Sequence, residues 1–257
     1  MVRVCLLVAL GLSQAQDPST RDDMERFLRT ARVVSNVAVG QGVTGARRLE
    51  LESGGQRHRA VFKTVDNRFE FDYHFGAETA AGFRDSFEHE IAAYKLDKLL
   101  GLGLVPPVVE REVDGLRGSL QVWVTREHLR YVRKHPLPAP DRADDDVHAV
   151  RLLDYLFNTD RHLRNLFFDE EWRPVVIDQS MAFHALTVPY RPLFRFPREA
   201  VARLRALDRR QLESALGRHL EEKQIDALEA RRRVVLEQVE RAIAERGAAE
   251  TLFDWDR

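Results

Sequence analysis

The stretch LLDYLFNTDRHLRNLFFDEEWRPVVIDQS, residues 152–180, decides how this chain is to be understood. An apolar run ends in Asp160-Arg161-His162, Asn165 follows shortly after, and Asp178 closes the second of two short apolar runs. Those runs flank the turn sequence DEEW, so they predict an antiparallel hairpin. In such a hairpin the first residue of one strand lies beside the last of its partner. Asn165 and Asp178 are therefore expected to meet at the open end, with Asp160 beside them. Two oxygen donors brought together there suit a magnesium or manganese ion.

The rest of the chain sets bounds on that pattern. At 257 residues it is long enough for one large domain with two lobes, or two small domains with real cores. A formal net charge of -1 asks for neither nucleic acid nor an acidic membrane as partner. Apolar residues make up 44% and charged residues 32%, which suits a folded globular chain. No apolar run approaches the roughly 18 residues that a membrane span needs. The opening MVRVCLLVALGLSQAQ places Arg3 before an apolar run and small residues Ser13 and Ala15 after it, the pattern of an export signal over residues 1–15. Periplasmic or secreted placement is the expectation with such a leader, and cytoplasmic placement without it. Cys5 is the sole cysteine and falls inside this segment, so no disulfide is expected in the mature chain.

Along the chain, DPSTRDDMERFLRTARVV predicts a capped helix. It is followed by alternating segments punctuated by Gly-Gln-Gly and Gly-Gly, which predict two or three antiparallel strands. RFEFDYHF alternates Phe69, Phe71, Tyr73 and Phe75 as one half-buried strand would. DSFEHEIAAYKLDKLLGLG predicts a helix capped by Asp85 or Ser86, with Glu88 returning to Asp85 in a capping box and Gly101 as the stop. Asp114-Gly115 predicts a tight hairpin. KHPLPAPDRADDD is a loop, and helices follow from Val147, with Leu212, Leu216, Leu220, Ile225, Leu228, Leu236, Val239 and Ile243 as their core. The run Arg231-Arg232-Arg233 reads as a solvated face. A sheet-rich part followed by a helix-rich part gives an α+β order that matches a bilobal protein-kinase-like fold.

Three further features carry chemistry. Gly40, Gly42 and Gly45 form a G-x-G-x-x-G whose following residues alternate and turn, which places the glycines at a hairpin tip. There, backbone amides can lie over phosphates. Lys63, in AVFKTV on the strand after that hairpin, falls where a kinase lysine grips nucleotide phosphates. A helical glutamate must then hold the ammonium. Glu90 and Glu88 are the candidates, and the predicted cap already accounts for Glu88. Asp160 and Asn165 reproduce the D-x-x-x-x-N interval of a kinase catalytic loop.

HEIAAYKLDKLLGLGLVPPVVER, with NTDRHLRN and VVIDQS, resembles the atypical kinase group that includes secretory-pathway casein kinases, HipA-type bacterial kinases and phosphoinositide kinases. The resemblance covers most of residues 40–180, and the leader fits an exported bacterial member. It implies that Asp160 is the catalytic base, that Lys63 binds phosphate, and that Glu90 pairs with Lys63 or helps hold metal. It also implies Asn165 and Asp178 as metal ligands. Secretory casein kinases generally carry a carboxylate where this chain has Asn165, so the chain is nearer there to HipA and the phosphoinositide kinases. Its metal-ligand segment reads Asp178-Gln179-Ser180 instead of Asp-Phe-Gly, and the disulfides of the animal secreted enzymes are absent.

The resemblance implies a sheet-rich N-lobe over residues 16–125 and a helical C-lobe over 126–257. Its activity would be ATP-dependent phosphotransfer to protein Ser/Thr hydroxyls with magnesium or manganese. A small molecule or lipid as acceptor is the first alternative, because aminoglycoside-type phosphotransferases share the same Asp-x-x-x-x-Asn followed by Ile-Asp. A nucleotide-binding pseudokinase is the second.

Overall fold

The computed structural model describes residues 20–40, 45–70, 73–75, 78–80, 82–124, 129–131, 143–159, 165–169, 173–187 and 193–255. The leader with Cys5, Gly42 and Asp160 lie outside the described residues.

Helix α1 (Arg21–Thr30) starts where Thr20 accepts a hydrogen bond from the Asp23 amide, with Asp22 and Asp23 at the positive end of its dipole. Strands β1 (Arg32–Ala38), β2 (Arg47–Ser53) and β3 (Gln56–Lys63) follow. Next come β4 (Asp66–Phe69), β5 (Tyr73–Phe75), β6 (Glu78–Ala80) and β7 (Phe83–Ser86), then α2 (Phe87–Leu100) and the hairpin β8 (Val108–Val113) with β9 (Leu116–Val122). The remaining elements are β10 (Leu129–Tyr131), α3 (Ala143–Phe157), β11 (Leu166–Asp169), β12 (Pro174–Val176), α4 (Arg198–Ala206), α5 (Arg209–Leu216) and α6 (Glu222–Arg246).

The main sheet is antiparallel in the order β1-β2-β3-β9-β8. Its alternation sorts the faces. Leu49, Leu51, Ala60, Phe62 and Leu120 are buried against Phe27 and Leu28 of α1. Lys63 and Val61, one register step away from that set, look to the other side. The β8–β9 turn is the Asp114-Gly115 hairpin expected, with φ of 53° and 76°, the left-handed pair that a tight two-residue connection requires.

Helix α2 is held from several directions. Ser86 caps its start, and Gly101, at φ 69°, ends it by donating to the carbonyls of Asp97 and Lys98. Asp97 is fully buried and accepts from Arg21 of α1 and from the amides of Leu104 and Val105. Most of its apolar residues, among them Phe87, Ile91, Leu96 and Leu100, do not join the core under α1. They belong to one continuous core with α3, α4, α5 and α6.

Four local expectations need correction. The aromatic alternation around Phe69 to Phe75 is divided between β4, which pairs with β7, and β5, which pairs with β6. Helix α3 begins at Ala143, before Val147, so the acidic run Asp144, Asp145 and Asp146 forms its first turn and complements the helix dipole. Glu88 makes no capping box: its carboxylate takes Arg117 of β9 at 2.5 Å and His219 at 2.6 Å, two charge-assisted bonds that outbid a backbone amide. Arg231 is no solvated residue. It is buried, and its guanidinium donates to the carbonyls of Leu156, His184 and Leu186.

Candidate active site

Lys63 is the last residue of β3, opposite Ser119 of β9. Gly118 lies against the Lys63 peptide: a Cβ there would fall 2.3 Å from the Lys63 carbonyl oxygen and 2.8 Å from the Phe62 ring. The strand can only run straight past Lys63 if residue 118 has no side chain. Gly118→Ala should therefore destabilise the protein by about 1–3 kcal/mol, the usual cost of forcing atoms into a packed site. Thermal melting checks this, and an unchanged midpoint would mean that the two strands separate at no cost.

From this position the Lys63 ammonium reaches Glu90 of α2 at 2.5 Å and Asp178 at 2.7 Å. Lys63 and Glu90 are nearly enclosed, whereas Asp178 is 42% exposed and faces solvent. Burial works against the Lys63 charge, but the Glu90 and Asp178 carboxylates outweigh it and hold the ammonium well above the ordinary lysine range. Losing one partner of such an enclosed pair costs more than the pair itself contributes, because the other charge is left buried.

The hairpin β11–β12 pairs Leu166 with Val176, and the Ile177 amide donates to the Asn165 carbonyl at 3.1 Å. That register puts the two flanking side chains together, with Asn165 Nδ2 3.2 Å from Asp178 Oδ2. Asp178 has φ 66°, a left-handed backbone that a non-glycine residue adopts only when its surroundings impose it. Gly40 and Gly45 also have positive φ, 66° and 61°, at the β1–β2 tip, with nothing within 4 Å of where a side chain would start. The Val39 amide closes that tip on the Ala46 carbonyl at 3.0 Å.

Among the described residues no group of three or more His, Cys, Asp or Glu side chains is arranged to hold a metal. Asp178 offers a carboxylate, Glu90 lies across Lys63, and Asn165 offers an amide whose nitrogen faces Asp178 and whose oxygen would turn to an ion. All are hard oxygen donors, and two of them on one side of an ion fit magnesium or manganese, which keep part of their shell for phosphate oxygens and water.

Three buried side chains to which the sequence pattern gave no part in this site hold the backbone that follows Asp178. His89 and Gln224 bond to the backbone just past Asp178, and Arg231 ties the end of α3 to residues 184–186. Burial pushes His89 and His184 down to about 4, so both are neutral at pH 7. The unfolded chain would protonate them near 6.5, so it binds more protons than the folded chain between about pH 6.5 and 4, and stability falls as pH falls through that window. The expected loss is at most roughly 3 kcal/mol per histidine. Thermal melts across that range check the slope, and His184→Gln should flatten it; an equal slope in the variant would place the acid sensitivity elsewhere.

A sheet half and a helical half that bring Lys63, Glu90 and Asp178 together define an atypical protein-kinase-like fold. Known structures agree. The chain is similar to hydra Fam20, solved with sugar, at 15% identity and a TM-score of 0.66, over 91% of this chain and 92% of that one. It is similar to the Golgi casein kinase solved with Mn/ADP, at 17% identity and a TM-score of 0.61, over 90% and 78%. The Helicobacter pylori proinflammatory kinase CtkA follows at 10% identity and a TM-score of 0.53, over 85% and 98%. No protein-family model and no curated protein sequence matches the chain.

Proposed function

We propose that this protein is an ATP-dependent phosphotransferase that uses magnesium or manganese and acts on protein Ser/Thr hydroxyls. The observation that carries this reading is the Lys63 ammonium held between Glu90 and Asp178, within a fold shared with a casein kinase solved with Mn/ADP. Lys63 then binds nucleotide phosphate, and Glu90 keeps the ammonium from collapsing onto Asp178 alone. Asn165 and Asp178 hold the divalent ion, which when bound neutralises the triphosphate charge. Asp160 accepts or orients the acceptor hydroxyl proton. Gly40, Gly42 and Gly45 let the tip of the β1–β2 hairpin approach the phosphates. The proposed division places the nucleotide between a lobe of residues 16–125 and a lobe of residues 126–257.

The leader pattern in residues 1–15 supports export, and no described helix is long and apolar enough to cross a membrane. The deciding experiment incubates purified protein with labelled ATP and manganese, with and without candidate proteins or small-molecule acceptors. Label on protein hydroxyls supports the reading; label on small molecules alone moves the acceptor class; nucleotide binding with no transfer to any acceptor makes the chain a pseudokinase.

A further inference from the structure

Beside Glu90 on α2 stands a second polar side chain that phosphotransfer does not use. His89 is fully buried, and its Nδ1–H donates to the Ser180 carbonyl at 2.8 Å. Its Nε2 faces the Gln224 amide nitrogen at 3.0 Å. An amide NH₂ only donates, so His89 Nε2 accepts and the proton sits on Nδ1. Gln224, in the first turn of α6, donates also to the Phe183 carbonyl at 3.0 Å. The Ser180 carbonyl accepts a second bond, from the Ser86 amide at 2.8 Å. Ser180 and Phe183 lie two and five positions past Asp178, and Phe183, at φ 63°, shares its left-handed backbone. Two such residues within six positions cost free energy locally and persist only if neighbours hold them. His89 and Gln224 are the side chains that reach in from α2 and α6 to do so.

We propose that His89 and Gln224 are positioning residues that hold residues 180–183, and through them keep the Asp178 carboxylate turned toward Lys63 before any ion or nucleotide arrives. The functional half of this rests on the phosphotransferase reading; the structural half does not. Two measurements separate them. The first is amide hydrogen exchange in the apo protein at Ser86, which bonds Ser180, and at Phe183, which bonds Phe157. The second is Mn–ADP affinity by calorimetry.

His89→Leu and Gln224→Met should each speed exchange at both amides and weaken Mn–ADP by about tenfold, the loss expected for one buried hydrogen bond. His89→Asn, whose amide nitrogen can take the place of Nδ1, should restore most of both. Val239→Ala, in the helical core, should lower the melting temperature yet leave both readouts alone. Unchanged Mn–ADP affinity in His89→Leu and Gln224→Met, or an equal loss in Val239→Ala, overturns the proposal. If His89→Leu does not fold, Gln224→Met carries the test, since it keeps the imidazole. A wild-type protein that binds no Mn–ADP sinks the phosphotransferase reading, and the exchange data then decide the placement role alone.

Discussion

Asp178→Ala should reduce metal-dependent ATP affinity by about a hundredfold or more and abolish transfer. Among the described residues, the Asp178 carboxylate and the Asn165 amide are the side chains that meet at the open end of the β11–β12 hairpin, so an ion left with Asn165 alone would be held chiefly by the nucleotide. Lys63 would keep Glu90 as a counter-charge, which separates this variant from a folding defect: the melting temperature should change little. The backbone gains nothing, because alanine tolerates a φ of 66° no better than aspartate does. Calorimetry with ATP and manganese, beside a melt, measures both. Wild-type affinity in a well-folded variant would mean that Asp178 is only a partner for Lys63.

Asp160→Asn is the complementary case, large in rate and small in binding. A base positioned for the acceptor hydroxyl acts in the transition state, so kcat should fall by roughly a hundred- to ten-thousandfold with the ATP–metal affinity retained. A variant that keeps near wild-type turnover would move the chemistry away from Asp160. If affinity falls together with rate, Asp160 shares the ion with Asn165 and Asp178.

Much of the cluster was legible because hairpins translate sequence distance into space by a simple rule. Once 166–168 and 174–177 are strands, Asn165 and Asp178 must meet, and they do. Lys63 was legible from its place on the strand after the Gly-rich hairpin, and in the structure alternation puts it on the face away from the buried Phe62. Glu88 misled for the opposite reason. A local capping rule accounted for it, while its partners Arg117 and His219 lie 29 and 131 positions away, a relation no local pattern carries. Arg231 was legible in principle: Leu228, Arg231, Val235 and Val239 fall on one helical stripe, and all are buried. Its charge points to solvent and its periodicity to the core, and a guanidinium that finds three carbonyls can occupy a core position. The pairing of His89 with Gln224 had no signal at all, since either residue alone reads as an ordinary helix position.

The allegiance of α2 has a consequence for how this molecule can be dissected. It carries Glu90 toward the sheet, but Phe87, Ile91, Leu96 and Leu100 belong to the core of the helical half. Their burial is worth on the order of 10 kcal/mol, comparable with the whole net stability of a domain. A fragment containing the sheet, Lys63 and α2 would keep the Lys63–Glu90 pair, yet expose that apolar row to water. It would aggregate instead of serving as a minimal binder. Melting of the helices would release Glu90 from Lys63 in the same event, so the Lys63–Glu90 pair and global folding stand or fall as one cooperative unit.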